Sequence, residues 1–370
     1  MGIGFTASGV PFALVGMLTL FLSPSSILLA QKANLSFDHL TNEQGLSANG
    51  VYAIIQDHEG FMWFGTSDGL NRFDGYTFTK FRHDPLDSNS IPYSNVPWVY
   101  EDKSGLIWTR SPDGRLCEFD RIRERFRLCM DGVSVSDMYE DSSGTLWFAT
   151  QGRGINRFER KHDYFAQCGT GSDSLTSVWG DRAAAGILWL GTTHGLERYE
   201  QATERTVGYE LGPGFSVNTI RSDRGGDLWI GTSKGLCSFD TVRKSFSIFP
   251  FGGDEPKITE GRGIQNILED SKGILWVSTV SRLATFDRSK RTFREHRIGR
   301  NARNRISDNE ITSIREVTGG ALWVATSGQG IGLFDRVAQN FTWYTNNPKD
   351  PLSLSDDDVH TAYQDRSGSI

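Results

Sequence analysis

Along this chain apolar and polar positions alternate in short runs that are repeatedly broken by glycine, aspartate and asparagine, a pattern of many short strands joined by turns. One stretch keeps returning. DHEGFMWFGTSDGLNRFD at 57–74 comes back as DKSGLIWTRSPDGRLCEFD (102–120), DSSGTLWFATQGRGINRFE (141–159) and DRAAAGILWLGTTHGLERYE (181–200). It recurs as DRGGDLWIGTSKGLCSFD (223–240), DSKGILWVSTVSRLATFD (270–287) and VTGGALWVATSGQGIGLFD (317–335). Each unit reads as four strands. An apolar-leaning run such as VYAIIQD (51–57) comes first, and DxxG then makes a type I turn, with Asp accepting a local hydrogen bond and Gly relieving the last position. The second strand carries Trp (MWFGT, 62–66), the third follows a short loop (GLNRFD, 69–74), and the outermost is YTFTKFRH (76–83).

The repeated tryptophans are Trp63, Trp108, Trp147, Trp189, Trp229, Trp276 and Trp323, spaced 45, 39, 42, 40, 47 and 47 residues apart. A strand repeat of that period is the spacing of propeller blades. The fold expected is all-β, a seven-bladed β-propeller of four-stranded blades, because a single blade cannot bury both faces and must stack on neighbours around an axis. One indole per blade suits packing between blades, and the small residues Gly65, Ala149, Gly191, Gly231, Ser278 and Ala325 nearby let sheets approach. The second unit departs, with Thr109 and Arg110 where the others have a small residue and Thr. The stretch LSFDHLTNEQGLS (35–47) is expected to add an outer strand to the last blade. VHTAYQDRSGSI (359–370) matches VYAIIQDHEGFM and reads as the start of an eighth repeat.

Ahead of the repeats, no charged side chain precedes Lys32, and VPFALVGMLTLFL (10–22) is followed by Ser23, Pro24, Ser25 and Ser26. This run is too short for a membrane span, which takes about 20 residues, and fits the apolar core of a secretory signal. The domain reading is a signal peptide at 1–30, the propeller at 31–356, and a further blade begun at 357–370.

Charge and composition narrow the chemistry. The formal net charge is −6, which argues against nucleic-acid partners. Four cysteines include no CxxC pair and no two of the seven histidines lie within four residues, so no metal is expected and no cofactor is implied. Cys117 and Cys129 sit symmetrically about the turn at 121–125 and are a candidate disulfide across the third and outer strands. The repeated aspartates read as turn residues rather than catalytic carboxylates.

Sites belong where units differ. The loops between second and third strands share a face with the connectors between blades, and there the chain places Arg110, Arg153, His194, Lys234 and Arg282. Trp98 adds an aromatic on an inner strand, where other units have Ala53, Asp137, Ser177, Thr219, Asn266 and Ser313. Trp98, Arg110, Arg153 and Lys234 would form a stacking surface ringed by donors, suited to a sugar or an acidic saccharide. His194 and Arg282 complete the candidate ligand-binding set.

The array DxxGxLWxGTxxGLxRFD, with connectors such as NPKDPLSLSDDDVHTAYQD (347–365), resembles the two-component regulator propeller repeat. Typical members of that family are bacterial hybrid sensors with a signal peptide, two periplasmic seven-bladed propellers, an immunoglobulin-like domain, a membrane span and a cytoplasmic histidine kinase. The resemblance implies a periplasmic, exported, ligand-sensing propeller of a parent anchored in the inner membrane. Its implied partners are an oligosaccharide, the second propeller and output domains of the parent, and a second copy in a homodimer. No kinase residues occur in this chain, so it is not expected to be an enzyme itself. The alternatives are a propeller related to the lyases that open cyclic antibiotics, and a stand-alone protein-interaction propeller.

Overall fold

The computed structural model describes residues 39–169, 171–182, 184–251, 263–296, 311–317, 320–328, 330–336 and 340–370. The expected signal peptide at 1–30 lies outside them. Blade 1 holds β1 (Val51–Gln56), β2 (Met62–Thr66), β3 (Gly69–Phe73) and β4 (Phe78–Phe81). Blade 2 holds β5 (Trp98–Glu101), β6 (Ile107–Arg110), β7 (Leu116–Asp120) and β8 (Arg125–Cys129). Blade 3 holds β9 (Ser134–Glu140), β10 (Leu146–Gln151), β11 (Ile155–Glu159) and β12 (Tyr164–Gln167). Blade 4 holds β13 (Leu175–Gly180), β14 (Ile187–Thr192), β15 (Gly195–Glu200) and β16 (Arg205–Glu210). Blade 5 holds β17 (Val217–Ser222), β18 (Leu228–Thr232), β19 (Gly235–Asp240) and β20 (Ser245–Pro250). Blade 6 holds β21 (Asn266–Glu269), β22 (Leu275–Ser278), β23 (Leu283–Asp287) and β24 (Thr292–His296). Blade 7 holds β25 (Ile311–Glu316), β26 (Leu322–Thr326), β27 (Gly330–Asp335) and β28 (Asn340–Tyr344). Every blade is an antiparallel four-stranded sheet in sequence order, so the protein is the seven-bladed β-propeller that the repeat predicts.

The repeated residues hold blades together in pairs. Each motif Trp is buried, and six of the seven meet the aromatic near the end of the third strand of the next blade. Trp63 meets Phe119 at 5.5 Å between ring centroids, Trp108 meets Phe158 at 5.3 Å, and Trp147 meets Tyr199 at 5.8 Å. Trp189 meets Phe239 at 5.4 Å, Trp229 meets Phe286 at 5.4 Å, and Trp276 meets Phe334 at 4.8 Å. Close approach is enforced at Gly65, where a Cβ would lie 2.3 Å from the carbonyl oxygen of Val96 on the next blade.

The aspartates do more than turn the chain. One carboxylate oxygen of Asp57 accepts the turn N–H groups of Glu59 and Phe61, and the other accepts the indole N–H of Trp63 at 2.7 Å. The same indole bond is made by Asp102 to Trp108, Asp141 to Trp147, Asp181 to Trp189, Asp223 to Trp229 and Asp270 to Trp276. In four of these units an arginine of the following blade joins the carboxylate: Arg121 on Asp57, Arg160 on Asp102, Arg288 on Asp223 and Arg336 on Asp270. Burial opposes ionisation of Asp57, but the Trp63 indole and the Arg121 guanidinium outweigh it and hold the carboxyl below its ordinary range.

Three expectations are corrected. The Cys117–Cys129 disulfide is absent, and both thiols are free and buried. Cys117 stands opposite Leu128 and Cys129 opposite Leu116, so the two side chains point to opposite faces of blade 2 and into different cores. The outer strand of blade 7 is its own β28, paired with β27. A strand joined through a short turn closes with less entropic cost than one from the far end of the chain. Residues 42–44 form a 3₁₀ turn capped by Thr41, and Ser47 then ties the segment to Asn71 and Thr66 of blade 1. Finally, Trp98 pairs with Arg110 just as Ala53 pairs with Gly65, so Arg110, not Thr109, takes the small-residue place and Ser111 takes the Thr place.

Candidate functional site

The inner strands line the central channel, and their side chains vary from blade to blade. Trp98 and Arg110 are brought together as the sequence suggests. They are cross-strand partners, with the guanidinium 5.7 Å from the ring centre. Arg110 reaches into blade 3 and donates to the carbonyls of Val135 and Ser136, occupying the gap that direct backbone contact fills beside Gly65.

Beside Trp98, aromatics recur on the inner strands of blades 2 to 4, and an arginine stands on that of blade 5. Trp98 stacks on Tyr100 at 5.8 Å, Tyr139 lies 5.8 Å from Trp179, and the Arg221 guanidinium sits 4.6 Å from the centre of the Trp179 ring. Tyr100, Tyr139, Trp179 and Arg221 share one register position, each directly opposite the motif Trp of its blade. The signal for them was present: reading that column gives Ile55, Tyr100, Tyr139, Trp179, Arg221, Leu268 and Arg315. The two-residue insertion in the blade 4 turn hides Trp179 from a fixed offset.

Polar groups without partners accompany these side chains. The hydroxyls of Ser136, Thr176 and Ser177 are buried on the inner strands of blades 3 and 4 and find no hydrogen-bond partner among the described residues. Asp137 accepts the N–H of Val178 at 3.0 Å and of Met138 at 2.9 Å. Burial pushes its carboxyl above the ordinary value, against the pull of the Val178 N–H and of Arg221 and Arg110. Burial likewise lowers the two arginines. Aromatic faces, two guanidinium groups, the Asp137 carboxyl and unpartnered hydroxyls thus gather on one stretch of the inner wall, groups of the kind that stack on a ring and bond its substituents.

The other predicted residues are not gathered there. Arg153 is exposed on the turn between β10 and β11. His194 is exposed with Nδ1 2.9 Å from the Thr193 hydroxyl. Lys234 donates to the Pro213 carbonyl at 2.7 Å and covers Phe215, and Arg282 pairs with Glu295 at 3.5 Å. His194, Lys234 and Arg282 are each engaged by their own blade or connector. A groove of about 660 Å³ between blades 2 and 3 is lined by Lys103, Glu140, Arg157 and Arg160, but Arg157 and Arg160 are already paired with carboxylates. No cluster of His, Cys, Asp and Glu able to hold a metal occurs among the described residues.

Comparison with known proteins agrees with the repeat. The model of the two component regulator propeller family matches residues 45–68 and 130–152, so the chain carries repeats of that family. Histidine kinase P4 of Formosa agariphila is 50% identical over 64 residues, which are 17% of this chain and 5% of that one. The extracellular domain of a hybrid two component system from B. thetaiotaomicron shares the fold with a TM-score of 0.56 and 22% identity, over 90% of this chain and 51% of that one. Virginiamycin B lyase from Staphylococcus aureus also shares it, with a TM-score of 0.53 and 12% identity over 75% of this chain and 91% of the lyase. The chain thus spans about half of the solved extracellular domain and a small part of the kinase. No helix among the described residues is long and apolar enough to cross a membrane.

Proposed function

We propose that this chain is a ligand-sensing propeller of a two-component sensor, exported by the segment at 1–30 to the periplasm and acting without catalysis of its own. Its ligand is carbohydrate-like and lies on the inner wall of blades 2 to 5. A stiff ring relays occupancy by shifting its packing against a second propeller or a homodimer partner, which passes the change to output domains of a longer parent. The similarity to an extracellular domain of a hybrid system and to a histidine kinase supports the sensor role. The observation that carries the ligand reading is the stacked Trp98–Tyr100 pair and the Tyr139, Trp179 and Arg221 group, with buried, unpartnered hydroxyls beside them.

Calorimetric titration of neutral and acidic oligosaccharides into the purified chain tests it. Trp98→Ala and Trp179→Ala are expected to weaken binding about tenfold or more, as loss of a stacked ring implies. Arg153→Ala and His194→Ala should leave it unchanged. Unaltered affinity in both tryptophan variants places the site elsewhere, and no binding by any saccharide rejects the carbohydrate class.

A further inference from the structure

The joint between blade 7 and blade 1 is built differently from the others. Blade 7 has Val317 where other units have the aspartate, and blade 1 has Gly75 where Arg121, Arg160, Arg288 and Arg336 stand in theirs. The indole N–H of Trp323 is buried with no acceptor among the described residues. Phe73, the counterpart of Phe119 and Phe334, is not buried under a neighbouring Trp; it stacks on Phe78 of its own blade at 4.5 Å and stays partly exposed.

Residues 357–369 stand in this joint, and they make both sets of contacts that neighbouring blades make elsewhere. Toward blade 7, the Asp357 carbonyl accepts from Gly328 and Gly330 at 2.8 and 2.7 Å, and the Val359 N–H donates to Thr326 at 2.8 Å. Val96 donates to Thr66 and Ile264 to Thr232 in the same way at regular joints. The Thr312 hydroxyl donates to the Val359 carbonyl, and buried Ala362 packs on Trp323. Toward blade 1, the Arg366 N–H donates to Gln56 Oε1 at 2.9 Å, as those of His58, Lys103, Arg224 and Ser271 donate to Glu101, Glu140, Glu269 and Glu316 of the following blade. The Arg366 guanidinium adds bonds to the carbonyls of Asp57 and His58, and His360 meets the Tyr52 ring at 4.6 Å.

We infer that residues 357–369 are a clasp that closes the ring, holding the place of an eighth inner strand, and that the propeller opens at this joint when the clasp lets go. Regular joints have a large buried aromatic pair, and four of the six add an ion pair on the motif aspartate. At this joint the Trp323 indole has no aspartate, Ala362 stands where the larger Val99 and Ile267 pack on Trp63 and Trp229, and the Arg366 bonds run to neutral groups, so it is the joint that releases most readily.

Hydrogen exchange of the full chain tests this, read by mass spectrometry in Val359→Pro, which removes the N–H given to Thr326, and in Arg366→Ala. The expected result is exchange about tenfold faster or more in β1 and in β25–β26, as loss of such hydrogen bonds implies, with β13–β19 unchanged. Unchanged exchange beside the joint, or an equal acceleration in every blade, overturns the proposal. A second variant does not depend on weakening the fold. The pair Tyr52→Cys and His360→Cys should be bridged by a bis-maleimide, whose span does not require disulfide geometry, and the bridge should slow exchange in β1; failure of that cross-link to form also overturns the clasp.

Discussion

At the residue scale, the aspartate of each repeat is the most economical device in the protein. A turn aspartate alone needs only its backbone-facing oxygen; the second oxygen here takes an indole, and in four blades an arginine from the next blade. The exception shows what the residue contributes. Trp323 has lost its acceptor because position 317 is valine. Val317→Asp should therefore stabilise the protein by about 1 kcal/mol, the net worth of a buried hydrogen bond restored to an orphaned donor. A higher urea midpoint with unchanged slope is the expected result, and a lower midpoint would mean that burying the new carboxylate without an arginine outweighs the bond. The sequence showed these aspartates as turn residues, and the DxxG spacing was enough for that. It did not show the indole bond, because the Trp six residues later, or eight in blade 4, lies beyond the turn and meets the carboxylate only once the hairpin has formed.

At the scale of the element, two neighbouring positions on the second strand divide the labour. The motif Trp fills the space toward the next blade, and the small residue two places on lets the next inner strand come close. At Gly65 there is no room for a methyl group against the Val96 carbonyl, and Val99 lies 3.1 Å from the same point. Gly65→Ala is expected to destabilise by about 1 to 3 kcal/mol through forced backbone shifts, measured as a lower denaturation midpoint. Arg110 shows the other use of that place: blade 2 puts a long cation where the rest put glycine, alanine or serine, and it reaches across to the carbonyls of blade 3. The substitution was visible in the sequence, although its register was one residue off there, and the pairing of Trp98 with Arg110 corrects it. The cysteine pair failed at this same scale. Symmetry about a turn is not enough, since a one-residue offset across two strands sends side chains to opposite faces.

At the scale of the whole molecule, the interblade carboxylates make the ring sensitive to acid. Asp57, Asp102, Asp141 and Asp270 all have carboxyls held below their ordinary value, burial being outweighed by indole, hydroxyl, backbone or guanidinium donors. A carboxyl lowered in the folded state stabilises fully above the unfolded pKa of about 4, and that stability disappears as pH falls through the folded value. Asp137 and Glu197 run the other way, because burial raises them and protonation there favours the fold. The expected profile is a denaturation midpoint that declines as pH falls below about 6.5, where burial keeps the His296 imidazole neutral in the fold while the unfolded chain takes up a proton, and that falls steeply below about pH 4. A midpoint that stays level into that acid range would show that these carboxylates are not coupled to folding.

Period, strand content and blade number were legible in the amino-acid sequence because every blade must solve the same packing problem with the same residues, so the answer is written seven times. Trp98 and Arg110 were legible for the opposite reason, as departures from a repeat. Tyr100, Tyr139, Trp179 and Arg221 become a surface only when four separate blades are set side by side, and each looks ordinary within its own strand. The place of residues 357–369 was likewise decided by tertiary structure. Their sequence says only that a repeat begins, whereas the joint that they fill exists because Val317 and Gly75, 242 residues apart in the chain, leave blades 7 and 1 without the means to bind each other directly.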